Sequence, residues 1–131
     1  MVIRPYSESD AAAVKALHVA QALPYLLPDF EKPEFLVRAV LENGTGRPEM
    51  FLALRKTAET YLIFDPRTTS KRETIGRILS LTKECIPAAQ RAGLTDVHAW
   101  IPPEIDEKFG NLLLRLGWKR EAWVSYSRRI E

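Results

Sequence analysis

The chain has 131 residues, 46% of them hydrophobic and 27% charged, with a net charge of +2. These proportions fit one folded domain over residues 1–131. The charge is too small to imply nucleic-acid binding, which is not expected. The single cysteine, Cys85, excludes an internal disulfide and any zinc site built from several thiolates. No apolar run approaches the ~20 residues that cross a bilayer, and Met1–Tyr6 lacks the apolar stretch of a secretory signal. A cytoplasmic chain with no membrane partner is the expectation.

In chain order, Met1–Arg4 reads as a short strand ended by Pro5, which has no amide hydrogen to donate. Ser7-Glu-Ser-Asp10 reads as a capping box, in which the acid reaches back to the amide three residues earlier. Ala13, Val14, Leu17, Ala20 and Gln21 then recur at helical spacing, predicting an amphipathic helix that ends before Pro24. Leu23–Phe30 holds two prolines and predicts an irregular, apolar connector. Pro33 suits the first turn of a second helix, with Phe35, Leu36, Ala39 and Val40 as its buried stripe and Gly44 as its stop. Met50–Arg55 and Thr60–Asp65 read as strands, and the short Lys56–Glu59 connection makes them an antiparallel hairpin.

The residues from Asp65 to Ser70 form a turn and cap before the longest helix, roughly Thr69 to Arg91. Ile75, Ile78, Leu79, Leu81, Thr82 and Ile86 give that helix a broad apolar face, which Pro87 should kink or divide and Gly93 should end. Asp96–Ile101 is a strand stopped by Pro102 and Pro103. A last helix runs from about Glu104 to Leu116, closed by Gly117, and Trp118–Ile130 is a final strand or bent hairpin. The predicted order is β-α-α-β-β-α-β-α-β, an α/β arrangement with helices on both faces of a sheet and a right-handed crossover through the long helix.

Several phrases in this order resemble the GCN5-related N-acetyltransferase (GNAT) superfamily. Ile3-Arg-Pro-Tyr6 with Asp10–Val14 is similar to the family's first strand and helix, and Arg91–Val97 to its helix-to-strand passage. Leu113-Leu-Arg-Leu-Gly-Trp-Lys-Arg-Glu121 resembles the element that opens its last strands. The resemblance implies a short, divergent member with a central, mixed, mostly antiparallel twisted sheet. It also implies acetyl-CoA, or coenzyme A, as cofactor, and transfer of an acyl group to an unidentified amine on a small molecule or a protein.

The family holds the coenzyme A diphosphate on backbone amides where a strand gives way to its long helix. Aligned on that helix, the chain offers Lys71-Arg-Glu-Thr74-Ile-Gly76-Arg77. Lys71 keeps the charge of the motif, Gly76 keeps its second small residue, and Thr74 stands in place of its first glycine. A branched residue there crowds a phosphate, although its hydroxyl could donate one hydrogen bond in return. The implied cofactor residues are Phe64, Asp65, Lys71, Arg72, Thr74, Gly76 and Arg77, with Pro66 between strand and helix and Arg67 adding charge.

No catalytic residue is assigned. Where the family often has a tyrosine as acid toward the leaving thiolate, this chain has Leu113, which has no proton to give. Asp106 stands where an asparagine often meets the pantetheine arm. The family has three strands between its second helix and its motif, whereas residues 46–66 have room for two. His18 and His98 read as structural, Asp65 as a turn cap, and Cys85 as a buried, inert thiol. Tyr126 and Trp123 read as strand packing that could also pair across a homodimer. No histidine–acid cluster suggests a metal. The rival readings are a catalytically inactive binding or regulatory module, and a binder of nucleic acid or an acidic partner.

Overall fold

The computed structural model describes residues 1–65, 67 and 70–130. The chain divides into two units, Met1–Ala58 with Ile86–Val97, and residues from Glu59 to Cys85 with those from His98 onward. Together they make a mixed α/β protein with a small antiparallel sheet.

In the first unit, β1 (Val2–Pro5) leads through a single 3₁₀ turn into helix α1 (Ala11–Gln21), followed by β2 (Phe35–Glu42) and β3 (Pro48–Arg55). The strands form one antiparallel sheet in the order β1-β2-β3. Asp10 closes the expected capping interaction, its carboxylate accepting from the Ser7 amide at 2.8 Å. α1 lies over β3. Val14 of α1 and Val40 of β2 are buried, and Tyr6, Phe30, Phe35 and Phe51 pack ring to ring beside them.

The segment predicted as a second helix is strand β2. Asn43 explains the change. Its side-chain oxygen accepts from the Thr45 amide (3.0 Å), the Thr45 hydroxyl (2.6 Å) and the Arg47 amide (3.1 Å). Gly46 takes φ +80° and donates its amide to the Asn43 carbonyl. Asn-Gly between two apolar runs is a strong hairpin signal, so Gly44 belongs to a turn and is not a helix stop. The Met50–Arg55 strand therefore pairs with β2, not with a Thr60–Asp65 strand. Of the latter only Thr60 is in a strand, at the end of β4 (Ala58–Thr60), which takes in part of the expected connection, and residues 61–65 have no regular structure.

Residues 46–65 hold two strands, β3 and β4, as the sequence reading allowed; the third strand between α1 and the long helix α2 (Lys71–Arg91) is β2, which stands in place of the expected second helix. The predicted start at Thr69 lies outside the described residues. Pro87 does not divide α2, which is one continuous element. Gly93 ends it at φ +77°, with the Leu94 amide on the Ala89 carbonyl and the Gly93 amide on the Gln90 carbonyl. This doubly bonded left-handed termination is the reason for glycine there. β5 (Val97–Ala99) follows and pairs with β4.

The predicted Glu104–Leu116 helix is a run of three pieces: α3 (Pro103–Ile105), a π-helical turn (Asp106–Gly110) and α4 (Asn111–Arg115). Gly117, at φ +90°, closes it with the same pair of bonds, from Trp118 to Leu113 and from Gly117 to Leu114. No strand forms from Trp118 to Ile130. β-propensity needs a neighbouring strand to act on, and Val124, Tyr126 and Ile130 are instead exposed. The edge pairing proposed for a homodimer has no strand to rest on. Among the described residues no helix is long and apolar enough to cross a membrane.

Candidate functional site at the start of α2

Seven residues stand out in the sequence, and five of them, Lys71, Arg72, Thr74, Gly76 and Arg77, lie in the first turns of α2, with Phe64 and Asp65 ahead of it. Asp65 accepts from the Arg67 amide at 2.9 Å and from its guanidinium at 3.0 and 3.2 Å. That ion pair, with the amide bond second, holds the Asp65 carboxyl below the usual carboxylate range. Asp65 is therefore a turn residue paired with Arg67, which takes Arg67 out of the pool of uncommitted cations. Phe64 precedes it and is 47% exposed. Pro66 lies outside the described residues.

α2 begins with a capping box. The Ser70 amide donates to the Glu73 carboxylate at 2.9 Å, and the Glu73 amide donates to the Ser70 hydroxyl oxygen at 3.3 Å. The Ser70 amide, with Arg77 as a lesser influence one turn on, keeps Glu73 ionised below its ordinary range. A carboxylate thus already sits at the positive end of the helix, where an anion would otherwise be favoured. The Thr74 hydroxyl, which the sequence offered to a phosphate, donates at 2.9 Å to the Ser70 carbonyl one turn back. Part of the cradle expected from the resemblance, the Ser70, Glu73 and Thr74 amides and the Thr74 hydroxyl, is thus engaged by the chain's own groups.

The side chains fit better. Lys71, Arg72 and Arg77 are exposed, and a shallow, open patch on one face of α2 is formed by Glu73, Gly76, Arg77, Ser80 and Leu81. The spacing of these residues is that of successive turns on one helix face. Gly76 leaves the patch open, because nothing lies within 4 Å of where a side chain would begin. A mid-helix glycine costs roughly 0.5–1 kcal/mol against alanine, and no packing contact at Gly76 accounts for it.

The remaining candidates are dispersed. Leu113 is on α4 with no ionisable group. Asp106 accepts from Arg120 at 3.3 Å, and a side chain on Gly110 would meet both of them, at 2.5 and 2.9 Å. Tyr126 is exposed, outside any element. Cys85 is exposed and not buried as expected, because burial of the α2 stripe is confined to the level of Ile78. No cluster among the described residues could hold a metal ion.

Sequence reading passed over two polar networks in the first unit. Arg4 bridges Asp10 (2.7 and 2.8 Å) and Glu42 (2.7 Å). Glu34, 3% exposed, accepts from the Thr95 hydroxyl at 2.8 Å and faces Arg55 at 3.8 Å, which also reaches Asp96. Both link residues far apart in sequence, so spacing alone gives no sign of them. No family model, curated protein or solved structure matches the chain.

Proposed function

We propose that the chain binds coenzyme A and its acyl thioesters along the first turns of α2, as a divergent GNAT-like protein. The observation that carries this reading is the exposed basic cluster of Lys71, Arg72 and Arg77 in the first turns of α2, with Arg77 beside the open surface at Gly76. In this proposal the diphosphate is held by side-chain charge, because the capping box fills the helix start. Such exposed contacts weaken as salt rises.

Acyl transfer from the thioester to an amine is the reaction the resemblance implies. Here it runs without a general acid at position 113, so its rate rests on positioning alone. Slow transfer or none separates this chain from an efficient transferase. Thermal shift with acetyl-CoA, coenzyme A and inorganic phosphate tests the binding, since a ligand of the native state raises Tm by mass action. Acetyl-CoA and coenzyme A should both raise Tm, and Gly76→Trp, whose Cβ would meet nothing within 4 Å and whose ring covers the open surface, should abolish the rise while keeping the fold. No shift at millimolar acetyl-CoA refutes the reading. Thiol release in the presence of an amine panel reports any transfer.

A further inference from the structure

A second pocket, of about 570 Å³, lies within the first unit, between α1, the connector after it and the β2–β3 hairpin. Its walls are chiefly apolar, with Val14, Leu17, Leu27, Phe30, Phe35 and Phe51 among them. Phe30 packs edge-on against two of the other rings, 5.1 Å from Phe35 and 4.6 Å from Phe51. The volume suits a small organic molecule.

One polar atom of this wall is unexplained. His18 lines the pocket, and its Nε2 is buried with no hydrogen-bond partner, alone in this respect among the described residues. A buried polar atom without a partner is costly to leave so. The imidazole stands edge-on to the Tyr25 ring at 4.9 Å. Tyr25 belongs to the connector, which has no regular structure at that point.

We propose that this pocket binds a small, neutral aromatic molecule bearing a hydroxyl group, with the hydroxyl on His18 Nε2. The phenylalanine walls favour an aromatic body, through edge-to-face contact. A hydroxyl both donates and accepts, so it satisfies Nε2 in either tautomer of the ring. An anionic ligand is disfavoured by Glu49 in the lining. This site is separate from the α2 surface and does not depend on coenzyme A binding.

The test is imidazole nitrogen NMR on the full chain, titrated with para-cresol, toluene and para-toluate. The chain has two histidines, His18 and His98, so His98→Gln assigns the signals. Para-cresol should move the His18 Nε2 resonance saturably. Toluene should bind about fivefold more weakly, the worth of one net hydrogen bond, and para-toluate should have no effect. His18→Phe should retain the fold and lose the preference for para-cresol over toluene, while Ala53→Phe, which narrows the pocket, should weaken both ligands. A His18 resonance unmoved at saturating para-cresol overturns the proposal, as does one that moves only in Tyr25→Leu, which would assign the nitrogen to the tyrosine ring. Because coenzyme A enters none of these readouts, failure here leaves the α2 reading standing.

Discussion

Asp10 shows what one carboxylate can hold together. It accepts two bonds from Arg4 and one from the Ser7 amide, and Arg4 carries the connection on to Glu42. The Arg4 guanidinium first, and the Ser7 amide second, push the Asp10 carboxyl well below its ordinary range, and the same bonds raise Arg4. With the folded value depressed, the unfolded chain binds the proton more readily as acid is added. The contribution of Asp10 is therefore complete above the ordinary carboxylate range and is lost as pH falls through and below it. Asp10→Asn should lower stability at neutral pH by on the order of 1–3 kcal/mol. It should also flatten the fall in stability below about pH 5, as read from urea midpoints across an acid series. Equal acid sensitivity in the variant would mean that the other carboxylates set the slope. The capping interaction of Asp10 was legible in sequence, four residues being enough to see it. Its bonds to Arg4 were not, because they need the bend that Pro5 and Tyr6 supply.

The elements themselves were legible where local chemistry decided them. α1, the long helix and both glycine terminations at Gly93 and Gly117 follow from spacing and from a backbone conformation that glycine alone adopts cheaply. β2 was misread because Phe35, Leu36, Ala39 and Val40 satisfy helical spacing over a run too short for periodicity to arbitrate. The turn that settles the matter lies outside the run. Gly46→Val places a β-branched residue at φ +80° and should destabilise the hairpin by about 1–3 kcal/mol, seen as a lower urea midpoint with an unchanged slope. In α2, Pro87 leaves the Lys83 carbonyl without its usual amide donor. Pro87→Ala should therefore stabilise the chain, by up to about 3 kcal/mol, and raise Tm. A fall in Tm would show that the proline ring packs productively where it is. The final segment failed for a different reason: Trp118–Ile130 has strand-forming residues but no strand beside it.

At the scale of the whole molecule, the two units divide the chemistry between them. The first contains the sheet, the aromatic cluster and the buried Glu34 and Asp10 networks; the second contains the basic start of α2. Of the candidate site, the charges of Lys71, Arg72 and Arg77 and the gap at Gly76 were readable from sequence. The turn and cap up to Ser70 were readable as well, but not the Glu73 carboxylate that closes the box on the Ser70 amide. That box decides how a diphosphate could be held, because Glu73 puts a negative charge where the ligand would put its own. Isothermal titration of coenzyme A into the wild type and Glu73→Gln tests this most directly. Removing the carboxylate should tighten binding by about threefold to tenfold, in line with the ~1 kcal/mol worth of a charge at a helix end, and the gain should shrink as salt is raised. No heat in either protein, or weaker binding in Glu73→Gln, would contradict the account.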